Sequence, residues 1–410
     1  MDFEYHYTEE QERFRQEVRA WLDANLPQDM ERPGEPRGLD RAAWEQRKYF
    51  RRKLGEKGWL APTGPEEWGG GGLSLDHALI LREELGGRGL RWFLEEQSAS
   101  LRAVLQQRGT QEQKRGYLFA ISRGQATIWS LSREPGAEPD AGNLGIQARR
   151  DGDDHILNGS ELFAGQGMGP DYLWTLALTD PDAPSHQATA TFLVPAGLKG
   201  ISIQTPNSLL PGEAHRVTFD NVVVPPRSLL GEEGEGWSLM QAIPAEAVAE
   251  YPPTGDQELA DLFQYARETA QDGVTLIQEP FLQQLLVDAY IASQLTRLLR
   301  TRNVWMAATG RRLTYHTAQA ALLEKRAALR LSRLVRDIMG MYALLDHQDP
   351  RAPSQGRLEL QQRRSLASQN PTGGPEVQAR ALAMHLGLDQ RKGEGAPTPG
   401  GAPAGLSQTR

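Results

Sequence analysis

The feature that most constrains the fold is a hydrophobic period that changes twice along one chain. Up to about residue 125 apolar residues recur at helical spacing, from Ala126 to about 235 they fall in short alternating or continuous runs, and from Trp237 the helical period returns. Local signals agree with the first section. Thr8 followed by Gln11 has the form of a capping box, and Phe14, Val18, Trp21 and Leu22 share one helical face behind it until Pro27 stops the helix. A second helix turns Trp44 and Leu54 inward, and Ser74 caps a third that runs through Leu85. In the middle section ATIWSL, HILNG, YLWTLAL, ATATFLV, GISI and RVTFDNVVVPP are rich in β-branched and aromatic residues and are divided by turns such as DGDD and DPDAP. No long helical segment separates them, so antiparallel strands of a sandwich or barrel are expected rather than a βαβ sheet. Three long helices are expected beyond, over 256–271, 280–308 with Pro280 at a first-turn position, and 313–344.

The order helices, strands, helices predicts an α+β chain with a helical N-terminal domain over 1–125, a β domain over 126–235 and a helical bundle over 236–390. The last residues, 391–410, are Gly- and Pro-rich with almost no apolar content, so a disordered tail that folding does not need is expected. Lys and Arg number 45 against 53 for Asp and Glu, a net charge of -8 that argues against a nucleic-acid or anionic-membrane surface. The absence of cysteine excludes a thiol nucleophile, a CxxC redox pair and a cysteine-held zinc or iron–sulfur centre. The eight histidines are scattered with no pair at metal-ligand spacing, so no metal is expected. The acidic start lacks an apolar signal core and no run is long enough to span a bilayer, which predicts a cytoplasmic chain without membrane insertion.

Common catalytic signatures are missing: there is no GxSxG, no HExxH, and no glycine followed by lysine. The run Gly165 to Pro170 has the look of a dinucleotide fingerprint but carries its third glycine too early and a proline where a helix should begin, so it reads as a turn between strands. Gly69 to Gly72 offer backbone N–H groups to a phosphate or form a plain flexible loop, the latter being the expected outcome. Arg326, Arg330 and Arg333 share a helix face, suited to phosphate groups or to an ordinary solvated surface, with the second expected.

Five stretches, in order, carry a family resemblance. GTQEQKRGYL (109–118), the segment Glu134 to Asp140 (EPGAEPD), NGSELF (158–163), TFDNVVVPPRSLLGEEGEGW (218–237) and GGPEVQARALAMHLGL (373–388) resemble the successive motifs of the acyl-CoA dehydrogenases. The resemblance implies that family's fold, a helical N-terminal domain, a middle antiparallel β domain and a C-terminal four-helix bundle. It also implies FAD, an acyl-CoA substrate, α,β-dehydrogenation in which a carboxylate takes the α-proton while hydride passes to the flavin, and an acceptor such as an electron-transfer flavoprotein.

Departures from the family pattern sharpen the expectation. Ser132, Arg133, Phe163, Gly165 and Gly340 are the positions the resemblance places at FAD, yet Arg133 replaces a small hydroxyl residue, Phe163 a tryptophan over the flavin, and Gly165 a threonine or serine contact. The element by which a neighbouring subunit reaches FAD falls at Thr269 to Gly273, where only the glycine is kept. Of the family's two base positions, one is Thr372 here, which cannot take a proton, and the other is Glu246. Two functions remain open: an active FAD-dependent acyl-CoA dehydrogenase using Glu246, or a degenerate, weakly flavin-binding subunit that completes a hetero-oligomer. Assembly into a homo- or hetero-oligomer through the C-terminal helices is expected, because 280–308 carries more apolar residues than one buried face needs.

Overall fold

The computed structural model describes residues 7–27, 30, 40–90, 96–131, 144–165, 167–184, 187–210, 212–241, 256–367 and 375–388. Ser132, Arg133, Glu246, Thr372 and the tail after 390 lie outside them.

The chain opens on α1 (Glu9–Asn25), α2 (Arg41–Glu56), α3 (Leu75–Gly87) and α4 (Glu96–Arg108). The capping box forms: Thr8 N donates to Gln11 Oε1 at 2.8 Å and Gln11 N to Thr8 Oγ1 at 3.2 Å. Ser74 Oγ likewise accepts from His77 N at 3.3 Å. With their first N–H groups satisfied, the helices turn Val18, Leu22, Phe50, Leu54, Leu81 and Leu85 into one cluster, and removal of that apolar surface from water is what holds them. A short helical run follows, α5 (Gln111–Gln113), a π turn (Lys114–Leu118) and α6 (Phe119–Ser122). Gln113 fastens it to the sheet by donating to the carbonyls of Arg227 and Leu229 at 2.9 and 2.7 Å.

The sheet contains β1 (Ile128–Leu131), β2 (Ile146–Asp151), β3 (Asp154–Ala164), β4 (Tyr172–Leu178), β5 (Thr189–Pro195), β6 (Ile201–Gln204), β7 (Ala214–Val224) and β8 (Leu229–Leu230). Its order is β6-β7-β3-β1-β4-β5-β8, with β2 beside β3 and β4. Most pairs are antiparallel, as expected, but β1 and β4 run parallel with Ile128 opposite Tyr172. The reason is topological: after β1 the chain makes the β2–β3 hairpin and returns along β1 in the same direction, so among the described residues it is strands that supply the crossover. β2 was not expected, because its inward residues Ile146 and Ala148 alternate with exposed polar ones and form no apolar run. β3 and β7 make the longest ladder, from His155 opposite Val224 to Ala164 opposite Ala214. Their inward side chains, with Leu173, Leu176 and Phe192, form the β core.

Beyond α7 (Gly236–Gln241), the bundle comprises α8 (Asp256–Glu268), α9 (Pro280–Ala308), α10 (His316–Met339), α11 (Arg357–Ala367) and α12 (Pro375–His385). Leu262, Leu286, Leu331, Val335 and Leu358 meet in its core. Two expected helix ends moved. α8 stops early because Ala270 to Thr275 form a hairpin whose turn, Asp272 (φ 52°) and Gly273 (φ 83°), has the paired left-handed residues of a type I′ turn. α10 stops at Gly340, which takes φ 55° and ψ −128°, a region that disfavours any side chain, and a 3₁₀ turn (Gly340–Leu344) follows. No helix among the described residues is long and apolar enough to cross a membrane.

Candidate functional site

Phe163 and Gly165 fall at the end of β3, with β1 on one side and β7 on the other. Phe163 pairs with Leu131 and His215, has no exposed surface, and points into the β core, where its ring centroid is 6.2 Å from that of Phe219. Gly165 is closed by a residue that sequence reasoning missed. A Cβ at Gly165 would stand 1.9 Å from Cδ1 of Trp129, and the next nearest atoms also belong to that indole. Trp129 of β1 therefore passes across the end of β3 through the room a missing side chain leaves. On the far side it stacks on His215 of β7, rings 3.8 Å apart and 10° from parallel. A replacement by threonine has no space here, so the glycine is more than a lost hydroxyl contact.

Both polar groups of Gly165 are taken. Its N–H donates to the Glu213 carbonyl at 3.2 Å, and its carbonyl accepts from His215 Nε2 at 3.2 Å. Because a carbonyl only accepts, Nε2 carries the proton, and in the neutral ring Nδ1 accepts from the Thr205 hydroxyl at 2.9 Å. Burial pushes the His215 pKa down, an effect partly opposed by the carbonyls of Gly165 and Gly212. A buried, neutral, fully bonded imidazole holds strands together and has no free edge with which to move a substrate proton.

Helix α11 flanks this edge. Arg364 Nη2 lies 2.8 Å from Glu213 Oε1, fixing the residue whose carbonyl receives the Gly165 N–H. Two residues earlier, on the other side of the helix, Gln362 donates to the Ala343 carbonyl at 2.8 Å and so also fixes the turn that begins with Gly340. Gly340 is the open counterpart: it is exposed, and a Cβ there would meet nothing within 4 Å. Beside it Met341, Tyr342 and Leu344 present 77, 52 and 61 % of their surface to solvent. The remaining member of the family pattern, Thr269 to Gly273, is the exposed type I′ hairpin, with Asp272 in its turn.

The residues described at the Gly165 edge do not fit an isoalloxazine ring. Such a ring needs an accessible face and free donors for its carbonyls and nitrogens, whereas Phe163 has no accessible face, the Gly165 N–H is taken, and the indole fills the adjoining space. At Gly340 the space exists.

The other candidates resolve plainly. Gly69, Gly70, Gly71 and Gly72 all donate their N–H groups to carbonyls of Glu66, Pro65, Ala61 and Gly64, so none is left for a phosphate. A Cβ at Gly70 would lie 2.2 Å from the Gly64 carbonyl oxygen, so the stretch is tightly packed rather than a loose loop. Gly167 (φ 90°) packs on the Trp44 ring in the turn after β3. Arg326, Arg330 and Arg333 are exposed, and Arg330 pairs with Asp288 at 2.7 Å, an ordinary solvated face. No group of three or more metal-ligating side chains occurs among the described residues.

Comparison with known proteins brackets the β sheet from both sides. The family model for the acyl-CoA dehydrogenase N-terminal domain matches residues 8–125, and that for the C-terminal domain matches 254–387. The chain is 28 % identical to Acyl-CoA dehydrogenase FadE26 of Mycobacterium tuberculosis, over 93 % of this chain and 98 % of the relative. Among solved structures it shares the fold of the Tcur3481-Tcur3483 steroid ACAD, with a TM-score of 0.80 at 24 % identity over 94 % of this chain and 99 % of that one. It also superposes on a chain of the ChsE4-ChsE5 complex from Mycobacterium tuberculosis, with a TM-score of 0.76 at 26 % identity over 95 % of this chain and 100 % of that one.

Proposed function

The chain belongs to the acyl-CoA dehydrogenase family, and we propose that it works as one subunit of a heteromeric acyl-CoA dehydrogenase whose flavin ring rests on the other subunit. The observation that carries this reading is the closed Gly165 edge, where Trp129 and His215 occupy the room a ring would need. The open side of the molecule supports it. Along α9, Val287, Ile291, Leu295 and Leu298 are 43 to 58 % exposed at helical spacing, an apolar stripe that a partner's helix would cover. Two of the structures that share its fold carry paired names, Tcur3481-Tcur3483 and ChsE4-ChsE5, the latter described as a complex.

Within such an assembly the reaction is α,β-dehydrogenation of an acyl thioester: a carboxylate would take the α-proton, the β-hydrogen would leave as hydride to the flavin held with the other subunit, and the two electrons would pass on to an acceptor such as an electron-transfer flavoprotein. Glu246 is the carboxylate this chain offers for the proton. In sequence it stands among the apolar residues Ile243, Pro244, Ala245, Ala247 and Val248. The test is the visible flavin band: absent or sub-stoichiometric when the chain is purified alone, present when a related subunit is co-expressed. A lone chain holding one tight FAD per protomer would overturn the proposal.

A second reading, a self-sufficient FAD enzyme, is favoured by a family likeness that runs over nearly the whole chain and nearly the whole relative. On that reading Glu246→Gln lowers turnover of the lone chain at least about a hundredfold, the usual share of a positioned base.

A further inference from the structure

We propose that Trp129 is the residue that denies the end of β3 to a flavin, and that Trp129 and Gly165 form an exclusive pair: either an indole fills this edge over a glycine, or a hydroxyl residue and a planar ligand do. The inference deepens the reading above, rests on it, and concerns which side chain enforces it.

Three observations carry it. First, the conflict at Gly165 is with one side chain. All three atoms nearest to an added Cβ, at 1.9, 2.2 and 2.4 Å, belong to the Trp129 indole. Gly165 has no left-handed φ, so its backbone does not by itself demand glycine. Second, the indole is held in place. It is only 2 % exposed, and its parallel stack on His215 is fixed in turn by the bonds from His215 to Gly165 and Thr205. Third, the face against which it packs is a flat aromatic one. The imidazole face lies 3.8 Å from the indole, the spacing at which any flat heteroaromatic ring stacks. Removing the indole therefore leaves a slot with one aromatic wall, an edge of backbone at Gly165, and room for the hydroxyl that the family pattern places there. The ligand class this slot would take is an isoalloxazine or a comparable fused heteroaromatic ring.

The test is a double-mutant cycle on the full chain with two readouts. Thermal unfolding of Gly165→Thr, Trp129→Ala and the double variant measures the exclusion: Gly165→Thr should lower the melting temperature strongly in the wild-type background and much less once Trp129 is alanine. Equal losses in the two backgrounds would overturn the pairing. Fluorescence quenching with lumiflavin, the ring alone, and with FAD measures the opened slot: the double variant should bind lumiflavin at least about tenfold more tightly than wild type, a change of about 1.4 kcal/mol. A gain for FAD without a gain for lumiflavin would place the new contacts on the nucleotide half and overturn the slot. Should Trp129→Ala fail to fold by circular dichroism, Trp129→Phe with Gly165→Ala tests the same exclusion at lower cavity cost. A folded double variant that binds no more flavin than wild type sinks this inference and leaves the heteromer reading standing. A wild-type lone chain with stoichiometric FAD sinks both.

Discussion

The β domain and the C-terminal bundle finish their surfaces in opposite ways. In the sheet, the edge that resembles a flavin contact is completed by the chain's own residues: indole, imidazole and backbone fill each other's needs around Gly165. In the bundle, α9 leaves an apolar stripe uncovered, and the turn at Gly340 stands open beside Met341, Tyr342 and Leu344. A fold that closes itself where a ligand is expected, and stays open where another subunit is expected, suits a protein whose chemistry is shared. Helix α11 touches both regions, through Arg364 to Glu213 and through Gln362 to Ala343. The contrast is thus built around one element and can be attacked from either end.

The largest effect should come from forcing the closed edge. Gly165→Thr drives a side chain into the indole, and overpacking of this severity should destabilise the β domain by about 3 kcal/mol or more, read as a lower urea midpoint by circular dichroism. A loss below about 1 kcal/mol would mean that the edge is loose and the contrast false. Next comes the open side. Ile291→Asp with Leu295→Asp places two charges in the exposed stripe of α9, so light scattering should shift from an oligomer to the 45.4 kDa monomer while the monomer's own unfolding changes little, since both positions face solvent. If the wild type is already monomeric at micromolar concentration, the stripe is not an interface.

A smaller, pH-dependent effect belongs to His215. Burial lowers its folded pKa below the ordinary imidazole value of 6.5, so the unfolded state binds the proton more readily. Stability from this group is therefore fully present above about pH 6.5 and is lost as pH falls through the lower folded pKa. His215→Gln should be less stable at neutral pH yet show a shallower decline toward acid, measured as urea midpoints across that window. Smallest of all, deleting residues 391–410 should leave the melting temperature within about 1 °C, because so few apolar groups cannot repay ordering.

What the sequence disclosed follows the range of the forces involved. Capping by Thr8 and Ser74, the start of α9 at Pro280 and the switch from helical to strand period are set by neighbours a few residues apart, and each can be read from a short window. The hairpin at Asp272 is equally local: an Asp-Gly pair signals a type I′ turn, and it overrides the helical period that runs up to Gln271. The closed edge was not local. Trp129, Gly165 and His215 meet only because β3 is seated between β1 and β7 in one register, and a slip of one residue would turn the indole to the other face. Gly165 alone signalled a missing hydroxyl. Only the strand order reveals that the hydroxyl has no room.

That strand order has a consequence for how the chain is made. β3 must find β7 on one flank, yet β4, β5 and β6 are all synthesised between them, so the longest ladder of the sheet closes late, with only the short β5–β8 pairing to follow. At ~5–20 residues per second the ribosome delivers β7 a few seconds to roughly ten seconds after β3. For that interval Leu157 and Phe163 lack the strand that will cover them, and β3 presents an unpaired edge to any other chain nearby. The nascent protein is thus most exposed to mispairing in a window fixed by topology, and slower codons between β6 and β7 would lengthen it while leaving the finished molecule unchanged.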